Sequence, residues 1–234
     1  MQAEKTIVES AKTVRSGIPR PFEAAIALLG LLACAPFLAM AAIAIAISSR
    51  GPVFFRQQRV GLNGRTFTMY KLRTMRPAGK GPLVTAGDDD RITRVGKFLR
   101  KTKLDELPEL WNILKGEMSF VGPRPEVPRY VDLENPAWQR VLEARPGLTD
   151  PMTLRLRNEE SLMAEVRGDR ERFYIETLQP FKLNGYLEYL KNRNGWSDIK
   201  VIFETALAVL LPHKAPLPTM EEICANSRTV EEHS

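Results

Sequence analysis

Cysteine and histidine are scarce, with two of each in 234 residues. Cys34 lies inside an apolar run and Cys224 in a polar stretch near the end, so they make a poor disulfide pair. Nothing in cysteine usage points to an oxidising compartment. The same four residues are too far apart in sequence to suggest a zinc site. A strong excess of one charge is also missing. Lys and Arg total 34 against 28 Asp and Glu, leaving +6 at neutral pH. That modest excess fits anionic partners such as nucleotides, phospholipid surfaces or nucleic acid. No internal repeat is present, and the length suits one core of ordinary size with appendages.

What the chain does have is a long apolar run. Residues 1–21 are polar and basic, with Lys5, Lys12, Arg15 and Arg20 and with prolines at 19 and 21. From Ala24 to Ile47 there is no charge, which is long enough for a membrane helix. The run is too long for a signal peptide, and Arg50-Gly51-Pro52 follows without a small-residue cleavage pattern. Pro36 sits in its middle, removing one helical hydrogen bond and crowding the preceding turn. Both flanks are basic: Lys12, Arg15 and Arg20 before, Arg50, Arg56 and Arg59 after. A spanning helix has one basic flank, the cytoplasmic one. Divided at Pro36, each arm is about 18 Å long at 1.5 Å per residue, short of a hydrocarbon core of roughly 30 Å. A kinked, re-entrant hairpin in one leaflet is expected over a straight span, with a buried core helix as the plain alternative.

The remainder alternates short elements and loops. Pro52 to Val60 reads as a strand, Leu62-Asn63-Gly64 as a turn, and Thr66 to Arg73 as the return strand of a hairpin. Phe67, Met69 and Lys71 share one face. Lys71 is either a solvated strand lysine or a phosphate ligand. Residues 76–89 are rich in Gly and Pro and read as a mobile loop. Asp90 is the expected cap of an amphipathic helix over Arg91–Thr102. There Ile92, Val95, Phe98 and Leu99 oppose Arg94, Lys97 and Lys101, while Arg100 lies off the basic stripe. Such a helix is either an ordinary surface helix or one lying in an anionic headgroup layer. Asn135-Pro136 opens another helix. Residues 148–156 read as irregular, 158–211 as mainly helical, and His213 onward as flexible.

The stretch Lys103 to Leu114 carries adjacent carboxylates, Asp105 and Glu106, at a helix start. Leu107, Leu110, Trp111 and Leu114 give one apolar face, Pro108 is tolerated only near the beginning, and Gly116 is the stop. Taken alone, the acids read as ordinary capping residues. Lys97, Arg100, Lys101 and Lys103 before them and Arg124 after them would hold the acids ionised and could also hold phosphates. Pro123 and Pro125 fix the backbone on both sides of Arg124, whose guanidinium can grip two phosphate oxygens at once.

An ordered set of motifs runs through the stretch from Phe54 to Leu156. It comprises Tyr70-Lys71-Leu72-Arg73-Thr74-Met75, Gly96-Lys97-Phe98-Leu99-Arg100, Leu104-Asp105-Glu106-Leu107-Pro108-Glu109-Leu110 and Asn112-Ile113-Leu114-Lys115-Gly116-Glu117-Met118-Ser119. Val121-Gly122-Pro123-Arg124-Pro125 and Arg145-Pro146-Gly147-Leu148-Thr149 complete it. Together with the proline-broken apolar helix, the set resembles the bacterial sugar transferases, monotopic phosphoglycosyl transferases that place a sugar phosphate on a polyprenyl phosphate. The resemblance implies an Asp-Glu dyad at Asp105 and Glu106, with Asp105 as nucleophile and Mg2+ ligand. It also implies anion contacts at Lys71, Arg100, Arg124 and Arg145, and a re-entrant membrane helix broken at Ala35-Pro36. The implied partners are a UDP-sugar, a polyprenyl (undecaprenyl) phosphate, the phospholipid membrane and downstream glycosyltransferases, with no nucleic acid. The implied location is the cytoplasmic face of a bacterial inner membrane. Three positions depart from the common pattern: Ala35 where Ser is frequent, Glu117 where Asp is, and Asp150-Pro151-Met152-Thr153-Leu154 after the Gly-Leu-Thr.

The expected fold is α+β and mostly helical. A re-entrant helix-break-helix and a small β-hairpin join amphipathic interfacial helices around a compact cytoplasmic catalytic core. The expected divisions are a basic segment over 1–21, the membrane helix over 22–48, the catalytic domain over 49–211 and a polar, flexible tail over 212–234. The expected reaction transfers a sugar 1-phosphate through a phosphosugar-aspartyl intermediate and releases UMP, at the first membrane step of a glycoconjugate pathway. Two rival readings are a non-catalytic, membrane-anchored basic adaptor and a membrane-associated glycosyltransferase that releases UDP.

Overall fold

The computed structural model describes residues 17–76, 86–210 and 217–227. Most of the basic N-terminal segment, the centre of the Gly/Pro loop and parts of the tail lie outside the described residues. The chain is mostly helical with two small sheets and one long apolar helix near the N-terminus. That helix, α1, runs over Arg20–Ser48 with Pro36 inside it. The two arms expected on either side of Pro36 are thus parts of one helix that continues through the proline. The single hydrogen bond a proline cannot donate is a local loss, while the apolar run on either side continues the helical pattern.

The hairpin forms as expected. Strand β1 (Phe54–Val60) pairs antiparallel with β2 (Thr66–Leu72), with Gln57 opposite Met69. The turn between them places Asn63 at φ 55°, a left-handed conformation that asparagine tolerates better than most residues. Helix α2 spans Arg94–Lys101 and is capped by Thr93, whose Oγ1 accepts from the Gly96 N–H at 2.9 Å. This corrects Asp90 as the cap. Ile92 is drawn into an isolated bridge with Met75, so the helix begins later than the periodicity suggests.

After α2, Lys103 turns the chain at φ 57° into a 3-10 turn over Leu104–Glu106, and helix α3 then runs over Glu109–Lys115. The acids thus precede the helix proper. The buried face of α3 is Leu110, Asn112 and Ile113, while Trp111 is 48% exposed. Trp111 belongs to the apolar spacing but not to the face that packs on the hairpin and α1. Gly116 ends α3 at φ 88°, as expected of a left-handed stop.

Strand β3 (Ser119–Val121) lies parallel to β4 (Gly147–Thr149). Between them come a 3-10 turn over Pro128–Tyr130 and helix α4 (Pro136–Leu142), which Asn135 caps through the N–H groups of Ala137 and Trp138. The two strand-end glycines let the chains touch: a Cβ on Gly122 would lie 2.3 Å from the Arg145 carbonyl oxygen. The segment read as irregular over 148–156 holds β4 and a short helix α5 (Pro151–Arg155), nucleated by Asp150, which accepts from the Met152 and Thr153 N–H groups.

Helices α6 (Glu159–Glu165), α7 (Arg170–Phe173), α8 (Gln179–Asn192) and α9 (Gly195–Leu210) make the expected helical part, with a π-turn over Tyr174–Leu178. Within the segment read as a flexible tail, Met220–Ser227 form helix α10, and Ile223 is fully buried against the core. Ile223, with Met220 beside it, docks an otherwise polar segment.

Two apolar clusters attach α1 to the rest. Ala27 packs with Phe67, Met69, Leu110, Ile113 and Met118, and Ala41 and Ile45 pack with Leu72 and Leu99. Polar contacts hold both ends. At the start, Arg20 Nη2 donates to the Leu114 carbonyl at 2.8 Å, and Glu23 accepts from Ser119 Oγ and from the Phe120 N–H. At the other end, Arg73 Nη2 donates to the Ser49 carbonyl at 2.6 Å. The opposite face of α1, including Leu29, Leu32, Met40, Ile43 and Ile47, has no protein cover among the described residues.

Candidate active site

The hairpin, the 3-10 turn and α3 meet around the acid pair. Asn112 makes that meeting rigid. It is fully buried; its Nδ2 donates to the Thr68 carbonyl at 2.7 Å and to Glu117 Oε2 at 2.7 Å, and its Oδ1 accepts from the Tyr70 N–H at 3.2 Å. One amide therefore joins β2 to α3 and lays Lys71 over the start of that helix. This also gives Glu117 a defined place, at the end of the same bond chain.

Lys71 Nζ donates to Glu106 Oε1 at 2.8 Å and stands 3.3 Å from Glu109 Oε1. Arg124 Nη2 donates to the same Glu106 oxygen. Of the alternatives for Lys71, the solvated strand lysine is thus set aside. Burial would push the Glu106 acid up, but Arg124, Lys71 and Lys103 outweigh it and hold it well below the usual range. Glu106 is consequently a fixed anion between two cations.

Asp105 is 7% exposed, and its Oδ1 is buried without a hydrogen-bond partner. Burial and the neighbouring Glu106 raise its acid, while Lys71, Lys103 and Arg100 draw it back. The two acids have opposite situations: Glu106 is gripped, and Asp105 is free. Glu109 is 1% exposed, and its acid is raised by burial and by Glu106, against the pull of Lys71 and Arg124.

The remaining cations stand differently. Arg100 is engaged with Glu160 through Nε at 3.1 Å and with Thr74 Oγ1 at 3.2 Å. Its position off the basic stripe does turn it inward, yet its partner is a carboxylate on α6. Arg145 makes no hydrogen bond to Glu106 or Asp105, and its Nε is buried without a partner. The structure thus joins Lys71, Glu106 and Arg124 directly, sets Asp105 beside them, and gives Arg100 and Arg145 other surroundings. Sequence reasoning names Lys103 only among the nearby cations and does not reach Glu109, Asn112 or Asp150 as site residues. A second acid four residues after Asp105 was the one local signal for Glu109.

The described residues hold no group of three or more His, Cys, Asp or Glu fit to bind a metal by themselves. The unpartnered Oδ1 of Asp105 does suit a hard cation that takes one or two carboxylates and completes its shell with substrate phosphates and water.

Residues 14–212 match the family described as Bacterial sugar transferase. The chain belongs to the bacterial sugar transferase family. A UDP-glucose:undecaprenyl-phosphate glucose-1-phosphate transferase of Caulobacter vibrioides is 38% identical over 186 residues, covering 77% of this chain and 65% of the relative. A protein of the same description from Xanthomonas campestris is 40% identical over 80% of this chain and 37% of its own length. The exopolysaccharide production protein ExoY of Sinorhizobium fredii is 34% identical over 82% of this chain and 85% of its own. The chain spans less than two-thirds of the first two of these relatives.

Proposed function

We propose that the chain is a phosphoglycosyl transferase that moves a sugar 1-phosphate from a UDP-sugar to undecaprenyl phosphate or a related polyprenyl phosphate. The observation that carries this reading is the free, buried Oδ1 of Asp105 beside a Glu106 held by Lys71 and Arg124. The printed descriptions of the relatives support the substrate classes.

In this reading the Asp105 carboxylate attacks the sugar-linked phosphorus of the donor. The bond from that phosphorus to the bridging oxygen breaks, UMP leaves with the electron pair, and a phosphosugar remains on the carboxylate. A phosphate oxygen of the lipid acceptor then attacks the same phosphorus. The acyl-phosphate bond breaks, Asp105 returns as carboxylate, and the polyprenyl diphosphate sugar departs. Two displacements thereby replace one between repelling anions. Lys71 and Arg124 supply fixed positive charge where phosphate charge accumulates. Glu106 keeps both cations in place and orients them. Magnesium, held through Asp105 and the donor phosphates, would add charge neutralisation there.

The membrane placement follows the same logic. Both ends of α1 are tied to one domain, through Arg20 and Glu23 at one end and Ile45 and Ser49 at the other. A helix crossing a bilayer carries its ends to opposite sides, so these ties support α1 bending at Pro36 within one leaflet while its helical course continues through the proline. The site then lies at the cytoplasmic headgroup layer, where a long-chain acceptor presents its phosphate.

The test is a panel of UDP-sugars assayed with undecaprenyl phosphate and magnesium. UMP formation beyond one equivalent of protein that depends on the lipid, and UMP formation that stops with EDTA, are expected. Release of UDP would replace this reading with an ordinary glycosyltransferase, and no nucleotide release with any donor would favour the adaptor.

A further inference from the structure

Lys71 is held by two acids, and only one of them belongs to the Asp105-Glu106 pair. Glu109 enters from the first turn of α3, with 1% of its surface exposed and Oε1 at 3.3 Å from Lys71 Nζ. Its Oε1 lies outside hydrogen-bond geometry and has no other partner. A carboxylate buried this deeply, touching one cation imperfectly, is costly unless its surroundings require it. Asn112, one turn further along α3, locks the backbone of β2 at Thr68 and Tyr70, immediately before Lys71, so the spacing between Glu109 and Lys71 is set by the fold.

We infer that Glu109 is a positioning residue for the proposed reaction: it tethers the Lys71 ammonium while Glu106 gives that cation up to the donor diphosphate. The argument is one of competition. In the unliganded site Lys71 and Arg124 both bond the same Glu106 oxygen. An incoming diphosphate brings negative charge that competes with Glu106 for both. Arg124 is held on course by the prolines that flank it. Lys71 has a flexible four-carbon stem, and with Glu106 as its sole partner it would lose its fixed position when that bond lengthens. The second carboxylate, set on a helix rather than on the 3-10 turn, keeps the ammonium within reach of the phosphates. Its effect falls on the displacement step, where phosphate charge shifts, more than on donor binding.

This inference rests on the phosphoglycosyl transfer reading, and the experiment separates the two. Glu109→Gln keeps shape and removes the charge. UMP release at saturating donor should fall about tenfold, as expected when a charged group is loosened near the reacting atoms, with the donor KM within about twofold, the sign of an interaction made mainly in the transition state. Added to Lys71→Ala, Glu109→Gln should cost nothing more, since it acts through that lysine. Glu109→Asp, which keeps the charge but withdraws it by one methylene, should also turn over slowly and serves if the Gln variant does not fold. Wild-type turnover in either folded variant, or the full Glu109→Gln loss on top of Lys71→Ala, overturns the inference. Release of UDP by the unsubstituted protein overturns the underlying reaction instead.

Discussion

Glu23 Oε1 accepts a hydrogen bond from the Phe120 N–H at 3.1 Å, joining the first turn of the apolar helix to the strand that leads into Pro123-Arg124-Pro125. The same oxygen accepts from Ser119 Oγ, and Arg20 stands 3.7 Å from the other carboxylate oxygen. Arg20 in turn donates to the Leu114 carbonyl, in the last turn of α3. The start of the membrane element is thus wired to both segments that frame the candidate site.

Removing that acceptor should be felt in stability. Glu23 is 2% exposed, so Glu23→Ala leaves two buried donors and a guanidinium short of a partner, at a cost of about 2 kcal/mol. Glu23→Gln retains an acceptor oxygen and should recover most of the loss. Thermal unfolding of detergent-purified protein checks this, and equal melting temperatures for wild type and Glu23→Ala would show that the contact is not energetically significant.

Asp105→Asn should separate stability from activity. The amide matches the carboxylate in shape and is easier to bury than its charge, so the melting temperature should hold or rise while turnover disappears. Glu106→Gln should slow the reaction and still allow a phosphosugar adduct to be trapped on Asp105. Intact-mass and peptide mass spectrometry of quenched reactions read both outcomes. A fully active Asp105→Asn protein removes the residue as nucleophile.

Asp150 sets a pH dependence away from the acid pair. Burial lifts its acid above the ordinary 3.8, against hydrogen bonds from Thr153 and Met152 and the attraction of Arg124. The folded protein therefore favours the protonated form. The stability this group contributes is full below the unfolded value and is lost as pH rises through the folded one. Asp150→Asn keeps an oxygen to cap α5 and carries no charge. It should melt above wild type at about pH 8, with the gap closing toward about pH 4. A variant that melts lower by the same amount at every pH would mean that the ionised cap is favourable in place.

Much of this protein is written in short-range patterns. Asn63-Gly64 between two strand-forming runs determined the hairpin, because the left-handed turn conformations are open to few residues. Asn135-Pro136 determined the start of α4 and Gly116 the end of α3, since caps act within a turn of the chain. The uncharged run from Ala24 to Ile47 determined a long apolar helix, and the alternation of Phe67, Met69 and Lys71 put that lysine on the face that meets α3. The ordered motifs identified the family and its acid pair.

Tertiary structure decided the partners. Arg100 and Lys71 are both cations of the motifs that accompany the acid pair, yet one bonds Glu160 and the other bridges Glu106 and Glu109. Glu23 reads as the last charge before a membrane run, and becomes the acceptor for β3. Trp111 fits the apolar spacing of α3 and faces outward because the hairpin and α1 cover the side of that helix that carries Leu110 and Ile113. Periodicity and capping depend on neighbours a few residues apart. A charge pair depends on which surfaces the whole chain brings within a few ångströms, and that distance exists only after the hairpin, α1 and α3 have packed.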